Sequence, residues 1–338
     1  MRRALAALLV FGSASAHART IEVGPAREVK SPAAAVRMAG DGDTIVVDPG
    51  EYLECFRVSQ NHLTIAGAGT GATLSDTACD GKALIVVSGT DLTLRNLTLQ
   101  RVRVPDGNGA GVRLEGRSLV VEKSRFVNNQ TAIMATGVGG SVIRISDTQF
   151  EGNGGCDGTR CANALSIGAI DRLRIENSVL RGTKGGHVIM SLAHRTELSA
   201  TRIEDGPTGS ASFDVIIPAG GLLLMENCTI QKGRNAAGLR GAVFLDGSAE
   251  GGQVFRRNKF INETGQSVPF ILNWSTGSPA LLENSVGDDA VISSSGYYSN
   301  RAGWLVRESW STAKGLVRAA GRELRDIGRS VRDWMVGR

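Results

Sequence analysis

Few side chains in this sequence are grouped so that they could do chemistry, and most of them fall in one stretch. "GGHVIMSLAHRTE" (Gly185–Glu197) carries His187, His194 and Arg195, and "GPTGSASFDVIIPAGG" (Gly206–Gly221) carries Asp214. An imidazole beside a carboxylate is a general-base arrangement, because the carboxylate orients the ring. An arginine nearby can bind the carboxylate of an acidic substrate. If Val188 and Val215 are equivalent inward positions, His187 and Asp214 face outward on adjacent strands, about 4.8 Å apart. The register is open, since "HVIMSLA" is apolar on both faces and a one-residue slip inverts it. His187, Asp214 and Arg195 are therefore the catalytic candidates, with Ser191, Asp246 and Trp274 as candidate substrate contacts. Each has a plainer alternative. A lone strand histidine is more often packed or simply exposed, Arg195 suits a solvated turn, and Trp274 in "NWS" suits a core as well as a sugar platform. His194 and Glu197 read as turn residues and His62 as structural.

The other functional classes leave little trace. No CxxC pair and no His-x-x-x-His exists, so a zinc site is not expected. No cofactor is indicated, and calcium remains an option without an identified ligand cluster. Of the five cysteines, Cys156 and Cys161 in "CDGTRC" close a small loop and Cys55 and Cys79 lie 24 residues apart, which leaves Cys228 unpaired. The chain holds 38 Lys/Arg and 33 Asp/Glu. Residues 301–338 carry nine and four of these, leaving 29 of each sign elsewhere. A neutral body lacks the basic face that nucleic acid requires.

The elements that must position these residues follow from a repeat. The phrase apolar-x-polar-x-x-apolar occurs as "LRNLTL" (Leu94–Leu99), "VEKSRF", "ISDTQF", "IENSVL", "LSATRI", "MENCTI" and "FRRNKF" (Phe255–Phe260), with a weak copy "LENSVG" at Leu282–Gly287. A second apolar phrase interleaves with it, from "ALIVVSG" at Ala83 to "PFILNWS" at Pro269. Strands this short bury their apolar side chains only by stacking on equivalents from neighbouring coils. The expected fold is all-β: parallel sheets wrapped into a solenoid of about 27 residues per coil. Cys55 and Cys79 are then one coil apart, close enough to bond. "SPAAAVRMA" (Ser31–Ala39) reads as a helix lidding the N-terminal end. Polar third positions of the phrase, Asn96, Asp147, Asn177, Asn227 and Asn284, suit turn hydrogen bonds better than a ligand stripe.

The helix at Ser31–Ala39, then "GDTIVVDPGEYLE" and "LTIAGAG", resembles the right-handed parallel β-helix of the pectate lyase-like superfamily over roughly residues 20–295. The resemblance implies a long groove that binds polysaccharide, often acidic, in lyases, hydrolases and epimerases. It does not choose among them. The paired carboxylates with Gly-His-Gly of the hydrolases, the calcium cluster of the pectate lyases and the Asp-x-His-Asp run of the epimerases are not found. Secreted bacterial single-domain members carry Lys and Arg after the "GH" strand and Asp and Asn around the next Pro-Gly-Gly. This chain has Met190, Leu192, Ile216 and Ala219 there. Two readings follow: polysaccharide engagement with lyase-type cleavage at His187–Asp214, or a non-catalytic polysaccharide-binding or envelope scaffold protein.

The ends differ from the middle. Residues 1–18, with Arg2, Arg3, an apolar run and "AHA", read as a secretory signal, so a secreted, periplasmic or cell-surface protein is expected. Residues 19–300 form the solenoid domain. In residues 301–338, Trp310, Ala313, Val317, Ala320, Leu324, Ile327, Val331 and Trp334 repeat at 3-4 spacing with arginines opposite. That is an amphipathic helix over 311–335. It suits an anionic membrane surface, a partner helix, or a lid on the open end of the solenoid.

Overall fold

The computed structural model describes residues 18–158, 160–248 and 252–287. The expected leader and the 311–335 helix lie outside these residues, apart from Ala18. The chain winds as a right-handed parallel β-solenoid of about 10 turns. Three parallel sheets of 9, 10 and 11 strands run its length. Each coil contributes one strand to each, in the order nine-, eleven-, ten-stranded.

The repeat phrase builds the bend between the eleven- and ten-stranded sheets. Its last positions stack in register as Leu99, Phe126, Phe150, Leu180, Ile203, Ile230 and Phe260, and all point into the core. The Phe126 and Phe150 rings stack with centroids 5.1 Å apart. The third position takes the left-handed conformation in every copy, with φ between 47° and 55° from Asn96 to Glu283. It is a backbone position first, which is why Lys123, Ala200 and Arg257 serve there beside the asparagines that tolerate it best. The last copy is one residue earlier than its sequence suggests. Val286 stacks on Phe260, so Glu283, not Asn284, takes the turn position.

Asn284 holds the fourth position, where a ladder runs that the repeat phrase does not announce. There the side-chain oxygen accepts from the backbone N–H of the preceding coil. Ser124 accepts from Leu97, Thr148 from Ser124, Ser178 from Thr148, Asn258 from Cys228 and Asn284 from Asn258, at 2.9–3.4 Å. These oxygens satisfy buried donors that a sharp bend takes out of the sheet ladder. Ser178→Ala is expected to cost about 1–3 kcal/mol through the orphaned Thr148 N–H, measured by urea unfolding.

At the N-terminal end a helix spans Pro32–Met38. Ser31 caps it by accepting from Ala34 N–H, Pro32 sits at its first turn, and Gln60 donates to the carbonyls of Val36 and Ala39. Ala35 and Val36 join the interior core. Cys55 and Cys79 are bonded, as are Cys156 and Cys161, and Cys228 is a buried free thiol.

Candidate functional site

The nine-stranded sheet carries the stretch that holds His187, and its strands break simple alternation. In several of them, such as those with Leu84 and Ile85 or Val188 and Ile189, two consecutive residues turn inward before alternation resumes. Val188 and Ile189 both belong to the interior core, whereas Met190 belongs to a separate cluster with Phe213, Ile216, Phe244 and Leu272. The backbone shows the cause: Asp214 N–H and Val215 N–H both donate to the Ala242 carbonyl, a bulge-like irregularity. His187 therefore stands opposite Phe213, and Ile189, not Val188, stands opposite Val215. This overturns the register on which an outward His187–Asp214 pair depended. Asp214 falls one place further along, opposite Val188, and is closed into the interior at 0% exposure.

Asp214 meets an ion cluster there. Lys232, also fully buried, lies 3.7 Å from Asp214 Oδ2 and 3.9 Å from Asp205 Oδ2. Its ammonium donates to the carbonyls of Ala211 (3.1 Å) and Ser212 (2.9 Å), and so pins the loop that leads into the Asp214 strand. Asp205 Oδ2 accepts from Gly233 N–H at 2.9 Å, while both oxygens of Asp214 accept no hydrogen bond. Burial pushes the Asp214 carboxyl up to about 7, with Lys232 opposing and Asp205 reinforcing the rise. Asp205 is raised as well, again by burial.

A carboxyl raised from 3.8 to about 7 on folding favours the native state below pH 4, and that contribution is lost as pH climbs to 7. Asp214→Asn mimics the protonated acid. It is expected to flatten this dependence and to stabilise the fold by about 1–3 kcal/mol at pH 8, with little gain at pH 4. Thermal unfolding across that range reads it.

His187 is half-buried, its ring tilted against Phe213 at 5.7 Å. Burial, helped by Lys232, lowers its pKa to about 4, and Nδ1 makes no hydrogen bond. The ring is neutral at physiological pH and a weak base. Arg195 lies on the eleven-stranded sheet, half-exposed, and pairs with Glu197. Ser191 is buried with its hydroxyl 2.8 Å from that of Thr196. Asp246 accepts from Gly247 N–H in a turn, and Trp274 packs edge-on to Phe244 at 5.0 Å. Arg195 thus stands on a different sheet from His187, and Ser191 is closed into the interior. Among the described residues no three histidine, cysteine or carboxylate side chains come together as a metal site would need.

A different group does converge on the outer face of the nine-stranded sheet, in its N-terminal half. One outward row reads Arg57, Val86, Arg113, Met134, Ser166 in register. Arg57 and Arg113 stand two strand spacings apart, about 10 Å. Lys82 joins them, 2.6 Å from Glu115 Oε1, and Arg113 Nε reaches the same oxygen only at 3.6 Å. Arg57 pairs with Asp80. Three cations share two carboxylates, and Arg113 Nε–H is buried without an acceptor. Sequence reading missed these residues because they are scattered over "CFRV", "DGKA" and "VRLEG"; only stacking joins them. Lys232 had a weak signal, as Asp205 and Lys232 follow equivalent residues of consecutive coils.

Three parallel sheets with an in-register turn ladder define a right-handed β-solenoid. The family described as right-handed β-helix region matches residues 83–286, and the chain belongs to it. Comparison with curated protein sequences gives no match. Among solved structures, the pectate lyase Pel9A is similar at 13% identity, covering 81% of this chain and 78% of its own, with a TM-score of 0.55. The pectin methylesterase of Aspergillus niger is similar at 12% identity, covering 82% and 90%, with a TM-score of 0.50. At these identities the likeness is one of fold.

Proposed function

We propose that the protein binds an anionic polysaccharide along the outer face of the nine-stranded sheet and acts there as a binding module. The observation that carries this reading is the outward row with Arg57 and Arg113, flanked by Lys82, where cations outnumber carboxylates and Arg113 keeps an unanswered donor. A chain of sugar carboxylates or sulfates running along the solenoid would meet these cations in turn. The polysaccharide-acting names of the structural neighbours agree with such a ligand. Lyase-type cleavage at His187 is the weaker reading, because its expected partner Asp214 is enclosed and a base must reach the proton it removes. The bonded cysteines suit export to an oxidising compartment, and we place the protein outside the cytoplasm on that ground.

The test is affinity for pectate, alginate and glycosaminoglycans alongside neutral glucans, with absorbance of unsaturated uronates followed in the same samples. Arg57→Glu with Lys82→Glu is expected to weaken binding to the preferred acidic polymer about 10- to 100-fold, without loss of fold. Equal binding to neutral glucans, or an unaffected double variant, would sink the proposal. A rise in absorbance that His187→Ala abolishes would restore the lyase reading.

A further inference from the structure

The ion cluster around Lys232 is poorly built for holding charge. Among the described residues Lys232 is the only buried lysine, and Asp205 and Asp214 beside it are at most 1% exposed. A buried pair offsets its desolvation when the charges hydrogen-bond each other well. Here they do not. The Lys232 ammonium gives two of its three N–H groups to the carbonyls of Ala211 and Ser212. Both carboxyls stand just beyond hydrogen-bond reach, at 3.7 and 3.9 Å from Nζ. Both oxygens of Asp214 and Oδ1 of Asp205 accept no hydrogen bond. An amine held against a carboxyl in a closed interior is the arrangement from which an amide forms. High effective concentration favours the attack, and exclusion of water prevents hydrolysis of the product. The Lys82–Glu115 pair is closer, at 2.6 Å, but its side chains are 40% and 29% exposed and meet water.

We propose that Lys232 and Asp214 condense into an intramolecular amide, an isopeptide bond, with Asp205 as the proton carrier. Asp205 takes a proton from the Lys232 ammonium, and the freed Nζ lone pair attacks Cγ of protonated Asp214. The N–C bond forms and the C–OH bond breaks. The nitrogen sheds its second proton onto the departing hydroxyl, which leaves as water, and Asp205 ends protonated. An ammonium, a carboxyl and a carboxylate thus become an amide, a water and a carboxyl, and nothing is oxidised or reduced. The two acids differ in a way that assigns their roles. Asp214 has no hydrogen bond to hold its charge, and burial has pushed its carboxyl up to about 7, so the reactive acid form is at hand. Asp205 Oδ2 accepts from Gly233 N–H, which favours the ionised form that a proton carrier needs. The amide removes the lysine charge from the interior, which an ion pair does not. It also ties the strand Phe213–Ile217 of the nine-stranded sheet to the end of Thr229–Lys232 in the ten-stranded sheet. Freshly folded chain carries the open cluster, whose titration and response to Lys232→Met are those of free side chains; the bond then forms in place.

The test is peptide mapping by mass spectrometry of the full-length protein, freshly refolded and again after days at pH 7. Cleavage after Glu226 separates Asp214 from Lys232 in a free chain. In the aged sample the two peptides are expected to stay joined, at the sum of their masses less one water, with fragmentation placing the link at Asp214 and Lys232. Peptides that separate, or a link from Lys232 to Asp205, overturn the proposal. Loss of water without joining, as in cyclisation of Asp205 onto Gly206, overturns it as well. Asp205→Asn keeps the size of the side chain and both reacting groups. It is expected to slow the joining at least about 100-fold with an unchanged far-UV spectrum. An unchanged rate would overturn the role given to Asp205. The joining involves no sugar, so this inference and the polysaccharide reading stand or fall separately.

Discussion

Lys232→Met is expected to lower the unfolding free energy by about 3–5 kcal/mol at pH 8, the usual cost of removing one partner from a buried ion cluster. Two carboxyls, Asp205 and Asp214, then remain in the interior without their cation, and the carbonyls of Ala211 and Ser212 lose their donor. The carboxyls escape part of that penalty by taking up protons. The loss should therefore shrink as pH falls, and urea titrations at pH 8 and pH 5 read the difference. Equal losses at both values, or a loss below about 1 kcal/mol, would mean that the cluster is not ionised as the geometry indicates. Replacing the whole set, Lys232→Met with Asp205→Asn and Asp214→Val, should recover most of the loss, because the desolvation of charge is then removed altogether.

Phe126→Ala should cost a similar amount, about 3–5 kcal/mol, from a different source. The ring lies between Leu99 and Phe150 in the ten-stranded ladder and is stacked on the latter. Gly111 is matched to it, since a Cβ at that position would come within 2.9 Å of Phe126 Cδ1. Small neighbours shaped around one large ring cannot close the hole that its removal leaves. Coils interact only with their neighbours, so the damage should be local. Hydrogen exchange is expected to quicken in the coils of residues 90–135 before those near the C-terminal end. A loss spread evenly along the solenoid would contradict nearest-neighbour stability.

The sequence made the ten-stranded ladder legible because one phrase sets both its inward residue and its turn. Leu99, Phe126 and Phe150 announce the inward position by period and size. The nine-stranded sheet was harder to read. Its strands place two consecutive residues inward, so Val188 and Ile189 look like alternation gone wrong. A register taken from Val188 and Val215 then set His187 beside Asp214, whereas backbone pairing sets it beside Phe213. Asp214 looked like a surface acid because nothing local hints that Lys232, 18 residues on, is buried with it. The cationic row had no period to reveal it, since Arg57 and Arg113 hold the same place two coils apart with Val86 between them and Lys82 lies just outside its strand.

The fourth-position ladder gives the molecule a direction. Each side-chain oxygen reaches back to the coil made before it: Ser124 to Leu97, Thr148 to Ser124, Ser178 to Thr148. A coil is thus left with an unsatisfied donor until the next one is laid down, and the arriving coil supplies the missing acceptor. Such a chain suits assembly from its first coil onward as it emerges from a ribosome or an export channel, each turn sealed by its successor. Growth in the opposite order would set each new bend's donor directly on an oxygen already in place. The bends thus carry a polarity along the axis: the donor always belongs to the earlier coil and the oxygen to the later one.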